Sequence, residues 1–208
     1  TCALDASGSI VCWGNDGDGQ ISDAPDGTFT YVATGKAHGC ALDASGSITC
    51  WGRDNHNQVS DTPDGTFTDV SAGGYHNCAI DASGTISCWG YDGNNQVSDA
   101  PGGTFTDVAA RSFHTCALDV SGSISCWGYD SDNQVSDAPS GTFTDITSGY
   151  YHSCALDESG TISCWGITAV EWYNFGQVND APSGIFTDIA TGKTHNCAIE
   201  GVITDVAC

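Results

Sequence analysis

Residues 105–141 read FTDVAARSFHTCALDVSGSISCWGYDSDNQVSDAPSG. Three strand-like runs, at 105–109, 115–119 and 123–127, are separated by short polar turns, and no helical period is sustained anywhere in the stretch. Pro139 and Gly141 stand where a chain turns toward its next strand. The stretch recurs. Taking the first cysteine of each unit as a marker, Cys2, Cys40, Cys78, Cys116 and Cys154 follow one another at a spacing of 38 residues, and Cys197 comes five residues late. A unit of three short strands cannot bury its own faces, so copies must stack, either radially as propeller blades or linearly as a solenoid.

The twelve cysteines form six pairs: Cys2 with Cys12, Cys40 with Cys50, Cys78 with Cys88, Cys116 with Cys126, Cys154 with Cys164, and Cys197 with Cys208. In Cys2-Ala-Leu-Asp-Ala-Ser-Gly-Ser-Ile-Val-Cys12 the Asp/Ser/Gly cluster marks a tight hairpin turn. Centring the turn on Ala6, Ser7 and Gly8 pairs Asp5 with Ser9, Leu4 with Ile10, Ala3 with Val11 and Cys2 with Cys12. At a non-hydrogen-bonded antiparallel pair the Cα atoms lie about 4.5 Å apart, within reach of a disulfide. A turn one residue longer pairs Ile199 with Val206 and Cys197 with Cys208. Each bridge closes a short loop, for a contribution of roughly 2 to 3 kcal/mol by the chain-entropy argument. Six such bridges point to an oxidising compartment, hence a secreted or cell-surface protein.

Of 208 residues only 4 are Lys or Arg against 26 Asp or Glu, a formal net charge of -22. Nucleic-acid binding needs cations that displace counterions, so DNA and RNA are excluded as expected partners, and anionic membranes are disfavoured for the same reason. No apolar run approaches the roughly 18 residues of a membrane span. No Gly-x-Ser-x-Gly elbow, phosphate loop or His-Glu-x-x-His occurs, and the expectation is a protein that is not an enzyme.

The runs VSAGGYHNCAIDASGTISCWG (70–90) and VAARSFHTCALDVSGSISCWG (108–128) resemble the repeat of the regulator of chromosome condensation family, in particular its short three-stranded form. The G-x-x-H-x-x-A-L/I, S-G-x-I and W-G elements recur together over essentially the whole chain. The resemblance implies an all-β propeller of about six short blades, with residues 1–208 as a single repeat domain. It says little about function, because one fold carries nucleotide exchange, enzyme inhibition and other roles. The best-known members close seven blades, whereas this chain supplies six hairpins and five FT-type strands, at Phe29, Phe67, Phe105, Phe143 and Phe186. The first hairpin starts at Thr1 without its preceding strand, so the expectation is either a piece of a longer chain or an incomplete blade whose free edge is completed by a neighbouring copy. The segment VITDVA at 202–207 echoes FTDVA and offers an alternative source for that strand.

His38, His76, His114, His152 and His195 each precede a cysteine by two residues, and Trp13, Trp51, Trp89, Trp127 and Trp165 each follow one. A residue repeated in every unit is expected to make the same structural contact in every blade, although the tryptophans would equally serve as sugar-stacking platforms. The loops NDGDGQ and YDSDNQ set Asp16 with Asp18 and Asp130 with Asp132, like the opening of a calcium loop; the glutamate that completes the calcium pattern is missing. The one swelling of the repeat is ITAVEWYNFG (167–176), ten residues where other units have five. Its Glu171, Trp172, Tyr173 and Phe175 form the expected partner-binding site, since aromatic anchors dominate interfaces. The expected function is a secreted, non-catalytic module that binds a protein partner or assembles with its own copies into an oligomer or filament. The alternative is a lectin-like propeller that binds glycans, with or without calcium. If the swelling is a contact site, Trp172→Ser with Phe175→Ser weakens partner binding or assembly and leaves thermal unfolding unchanged; a fall in stability alone makes it core.

Overall fold

The computed structural model describes residues 1–167 and 173–201. Among them sixteen strands form six antiparallel sheets, with no helix. The first sheet is β1 (Cys2–Leu4) with β2 (Ile10–Cys12). Four three-stranded sheets follow: β3 (Phe29–Thr34), β4 (His38–Asp43) and β5 (Ile48–Gly52); β6 (Phe67–Ala72), β7 (His76–Asp81) and β8 (Ile86–Gly90); β9 (Phe105–Arg111), β10 (His114–Asp119) and β11 (Ile124–Gly128); β12 (Phe143–Ser148), β13 (His152–Asp157) and β14 (Ile162–Gly166). The series ends with β15 (Phe186–Thr191) and β16 (Asn196–Glu200). The three runs read from residues 105–141 are β9, β10 and β11, and the five FT-type strands begin at the expected phenylalanines.

Each hairpin is set by its turn. The carboxylate of Asp119 accepts the backbone N–H groups of Ser121 and Ser123 at 2.8 and 3.0 Å and the Ser121 hydroxyl at 2.6 Å. Gly122 sits at φ 79°, in the left-handed region that glycine enters without steric cost, and a Cβ there would lie 2.7 Å from the Phe143 carbonyl oxygen. That turn fixes the register, which pairs Cys116 with Cys126; the first hairpin pairs Cys2 with Cys12, Ala3 with Val11 and Leu4 with Ile10, as its sequence requires. Five disulfides result, Cys2–Cys12, Cys40–Cys50, Cys78–Cys88, Cys116–Cys126 and Cys154–Cys164, with Cα atoms 4.0 to 4.1 Å apart. The sixth pairing, of Cys197 with Cys208, and the VITDVA segment lie outside the described residues.

The core lies between sheets rather than within them. Cys40 and Leu42 of one sheet pack against Phe67, Val70 and Trp89 of the next, and Cys116 and Leu118 meet Phe143, Ile146 and Trp165 in the same way. Trp51, Trp89, Trp127 and Trp165 are only 4 to 5% exposed. Burying about 200 Å² of ring at about 25 cal/mol per Å² is on the order of 5 kcal/mol each, well above a single neutral hydrogen bond. Each indole N–H also donates to a carbonyl one sheet back: Trp51 to Gln20, Trp89 to Gln58, Trp127 to Gln96 and Trp165 to Gln134, at 3.0 to 3.1 Å. These four rings are therefore blade filling and offer no face to a sugar. Trp13, in the first sheet of the series, is 54% exposed.

The histidines bond forward as the tryptophans bond back. His38 Nε2 lies 2.7 Å from Asn77 Oδ1, His76 Nε2 2.8 Å from the Thr115 hydroxyl, His114 Nε2 2.8 Å from the Ser153 hydroxyl and His152 Nε2 2.6 Å from Asn196 Oδ1. Because the Asn77 amide already donates to the Gln58 carbonyl at 2.8 Å, Oδ1 is the atom facing His38, and the proton sits on Nε2. The Nδ1 atoms of all four are buried without a partner among the described residues, so an imidazolium would strand a second N–H. Desolvation accordingly holds His76 and His114 down at about 3.

The five inner strands β3, β6, β9, β12 and β15 share one cavity of about 210 Å³, lined among others by Thr34, Ser71, Ala110, Thr147 and Thr191. The sheets therefore radiate from a common axis as blades of a propeller, and among the described residues no strand pairing joins the first sheet to the last. Near the axis Asp107 faces Asp69 and Asp145 of the adjoining blades. Burial first, then these two carboxylates, push its own carboxyl up to about 7.

Two outcomes follow from these contacts. Thr115→Val keeps the shape of the side chain and leaves His76 Nε2 unpaired, so denaturant unfolding should lose about 1 to 3 kcal/mol; an unchanged midpoint would show that the inter-blade bond is not holding the blades. The folded pKa of Asp107 lies above its unfolded value, so its contribution is fully present below about pH 4 and is lost as pH rises through 7. Asp107→Asn should therefore raise the melting temperature at pH 8 relative to the parent chain, with the difference vanishing at pH 4. His76 and His114 act in the opposite sense, losing stability as pH falls from 6.5 toward 3, so both melts are compared at each pH.

Candidate binding face

At one end of the axis the chain passes from inner to middle strand five times, through Gly35-Lys36-Ala37, Gly73-Gly74-Tyr75, Arg111-Ser112-Phe113, Gly149-Tyr150-Tyr151 and Gly192-Lys193-Thr194. Beside each of the first four lies the residue that follows the Trp-Gly pair. Arg53 N–H donates to the Ala37 carbonyl, Tyr91 to Tyr75, Tyr129 to Phe113 and Ile167 to Tyr151, at 2.8 to 3.0 Å. These backbone bonds bring the side chains of two loops per blade onto one surface.

That surface is aromatic. His56 packs edge-on against Tyr91 at 4.8 Å and Tyr75 at 5.4 Å; Phe113 lies 6.1 Å from both tyrosines and 6.4 Å from Tyr129. Tyr150 and Tyr151 are 4.5 Å apart, and Tyr151 stacks on Tyr173 at 4.8 Å with planes 28° apart. Of the seven tyrosines in the chain all but Tyr31 stand here. Burial first, then the neighbouring phenols of Tyr150 and Tyr173, push Tyr151 up to about 12, so it stays a neutral hydrogen-bonding group.

All four cationic side chains of the protein gather at the same face. Lys36 Nζ donates to the Tyr75 hydroxyl at 2.7 Å and sits 4.8 Å over its ring, and the Arg53 guanidinium lies 5.6 Å over that ring. Lys193 stands 5.2 Å over Tyr150 and 5.6 Å over Tyr173. Arg111 is half-buried, and desolvation lowers the pKa of its guanidinium. None of the four pairs with a carboxylate among the described residues, although acids outnumber them 26 to 4. Lys36, Tyr75, Arg111, Phe113, Tyr150 and Lys193 line a cavity of about 300 Å³, and a second cavity of about 230 Å³ continues past Tyr91, Tyr129 and Tyr151. Rings beside unpaired cations can hold an anion that carries an apolar group, the first by charge and the second by stacking.

Of the expected partner-binding residues, Tyr173 joins this face and Phe175 stands 68% exposed beside it; Glu171 and Trp172 lie outside the described residues. The Gln177 amide holds the segment, donating to the Tyr173 carbonyl at 2.7 Å and accepting the Phe175 N–H at 2.7 Å. The candidate calcium positions are engaged in their own loops. Asp16 Oδ1 accepts the N–H groups of Ile21 and Ser22 at 2.8 and 3.1 Å, Asp130 Oδ1 does the same for Val135 and Ser136, and the backbones of Asp18 and Asp132 donate to Gln20 and Gln134. No group of three or more His, Cys, Asp or Glu residues suited to a metal ion occurs among the described residues.

Lys36, Arg111, Lys193 and the ring cluster escape a reading of the repeat because that reading looks for what recurs. Their signal is the opposite one. Within a unit that hardly changes, the pair before each histidine runs Lys-Ala, Gly-Tyr, Ser-Phe, Tyr-Tyr and Lys-Thr, and the residue after Trp-Gly runs Asn, Arg, Tyr, Tyr and Ile.

Several solved structures share the fold. The ectodomain of the receptor kinase CR4 from Physcomitrella patens superposes with a TM-score of 0.78 at 24% identity, covering 98% of this chain and 57% of that one. Human WBSCR16 gives 0.79 at 17% identity, covering 96% of this chain and 69% of its own. Prp20p from Saccharomyces cerevisiae, described with its binding to Gsp1p and histones, gives 0.74 at 16% identity, covering 97% and 67%. The chain thus spans little more than half of the CR4 ectodomain and about two thirds of the other two. No curated protein sequence matches it. The regulator of chromosome condensation (RCC1) repeat is matched at residues 29–58, 67–96, 105–134 and 143–168, four consecutive units that make up more than half of the residues. The chain therefore belongs to the RCC1 repeat family.

Proposed function

We propose that this protein is an extracellular, non-catalytic binding module that holds a protein partner on its aromatic face. The observation that carries the reading is the segregation of side chains: the variable residues before each histidine and after each Trp-Gly assemble the rings and cations at one end of the axis. His38, His76, His114 and His152, like Trp51, Trp89, Trp127 and Trp165, are consumed in blade contacts. Five disulfides suit an oxidising exterior, and the likeness to a receptor ectodomain points the same way. Tyrosine and phenylalanine bury large area at low cost in side-chain entropy, which is why they anchor protein contacts. The body of the chain, at net charge -22, repels acidic partners everywhere except at this face, so charge also sets where a partner docks. The same complementarity makes a second copy of the chain an admissible partner, its acidic edge meeting the cationic face.

Selection of a displayed random peptide library against the whole protein tests the face. Peptides enriched on the parent chain should lose at least tenfold in affinity for a Tyr75→Ala, Phe113→Ala, Tyr151→Ala variant whose melting curve is kept. Equal binding to both proteins would place recognition elsewhere. Sedimentation at rising concentration, with and without the three substitutions, separates the second copy from a foreign partner.

A further inference from the structure

Arg111 breaks a rule that the rest of the chain obeys. In the four other units that contain this segment its position is glycine, at Gly35, Gly73, Gly149 and Gly192. The reason is steric: a Cβ on any of the four would lie 2.3 to 2.4 Å from Cε1 of that unit's own histidine. The unit of β9 admits a side chain only by altering its backbone. Its inner strand runs one residue further, to Arg111, which pairs with His114, and Ser112 is forced to φ 44°, buried and non-glycine. The Gly74 N–H, donating to the Ser112 carbonyl at 3.0 Å, ties this conformation to the neighbouring blade. A strained residue that persists inside a uniform repeat calls for a function to offset it.

The side chain so installed is a half-buried guanidinium with no hydrogen bond or carboxylate among the described residues, at the wall of the 300 Å³ cavity that Lys36 and Lys193 also line. A charge drawn out of water without a counter-charge is costly, and a fork of N–H donors fits a planar carboxylate in bidentate fashion. The neighbouring walls are Tyr75, Phe113 and Tyr150. The cavity holds a group of side-chain size, not a folded surface. The strongly negative body also penalises a doubly charged ligand about twice as much as a singly charged one.

We infer that the axial cavity is a carboxylate site, in which Arg111 grips the carboxylate of an acidic peptide while the flanking rings hold the apolar group next to it. This rests on the reading of the aromatic face as the binding face and names the chemistry that the face selects. Lys36 and Lys193, each already held over a ring, supply the positive field that draws the ligand in through a negative surround, so binding weakens as salt rises.

The test is an NMR titration of the isotope-labelled full chain with N-acetyl-phenylalanine, its primary amide and phenylethyl sulfate. The acid should shift the Arg111 Nε–H and Phe113 ring signals saturably, with the amide at least tenfold weaker. Arg111→Gly restores the residue the other units carry and should keep the melting temperature while weakening the acid at least tenfold. Equal binding of acid and amide, or an Arg111→Gly variant that binds as well as the parent, overturns the site. Tighter binding of the sulfate overturns the carboxylate assignment. If the library loses its peptides on the ring substitutions but acid and amide bind alike here, the face stands and the carboxylate site falls. If the ring substitutions leave peptide binding intact while the Arg111 contrast holds, the face falls and the anion site stands.

Discussion

One contact recurs at every full blade boundary: a neutral histidine reaches forward from the start of a middle strand and bonds to the residue beside the cysteine of the next blade, while a tryptophan N–H reaches back to a glutamine carbonyl. The rest of the structure depends on this exchange. Disulfides bond strands only within a hairpin, and across a blade boundary they act through packing alone, as Cys40 does against Phe67, Val70 and Trp89. In four of the five units the residue that directly follows the inner strand is a glycine, Gly35, Gly73, Gly149 or Gly192, which leaves room for the histidine ring against the backbone. Burial of the imidazole keeps it neutral, and its unpartnered Nδ1 makes protonation incompatible with the packed interface. A propeller of this kind is a one-dimensional chain of nearest-neighbour contacts bent around an axis, and its stability is the sum of those contacts.

Much of this was legible in the residues. The spacing of 38 and the turn around Gly8 were enough to pair Cys2 with Cys12 and to place the three strands of residues 105–141 within about two residues at either end. The roles of histidine and tryptophan followed from their repetition. What was not legible was the binding face. Lys36 and Lys193 are 157 positions apart in sequence and Arg53 and Tyr75 are in different units, so only the arrangement of the blades around an axis brings Lys36, Tyr75 and Lys193 to one cavity and Arg53 over the Tyr75 ring. The inserted segment 167–176 stood out because it broke the spacing, yet the structure gives Tyr173 meaning through its stack on Tyr151, a residue that breaks no spacing at all.

The division of labour between constant and variable positions explains an otherwise odd distribution of charge. Twenty-six acids cover the protein, many of them engaged in tying their own turns, as Asp119 and Asp130 do. Among the described residues the four cations pair with none of them, and Lys36, Arg53 and Lys193 rest over aromatic rings instead. In a chain so negative, gathering every cation at one end of the axis, without a carboxylate partner among the described residues, makes that end less negative than the remainder. The inner carboxylates Asp69, Asp107 and Asp145, which face one another across adjoining blades, add a penalty that falls away on protonation, so the two ends of the axis respond to pH in different ways.

The central claim is that the repeated histidines and tryptophans hold the blades and the variable segments before each histidine bind. It is tested most directly by rewriting the variable segments to match Gly73-Gly74-Tyr75, through Lys36→Gly, Ala37→Tyr, Arg111→Gly, Ser112→Gly, Phe113→Tyr, Tyr150→Gly, Lys193→Gly and Thr194→Tyr, and titrating the product with a peptide selected on the parent chain. The account predicts a protein that melts cooperatively as before and binds that peptide at least tenfold more weakly. Undiminished binding by the uniform chain would contradict it.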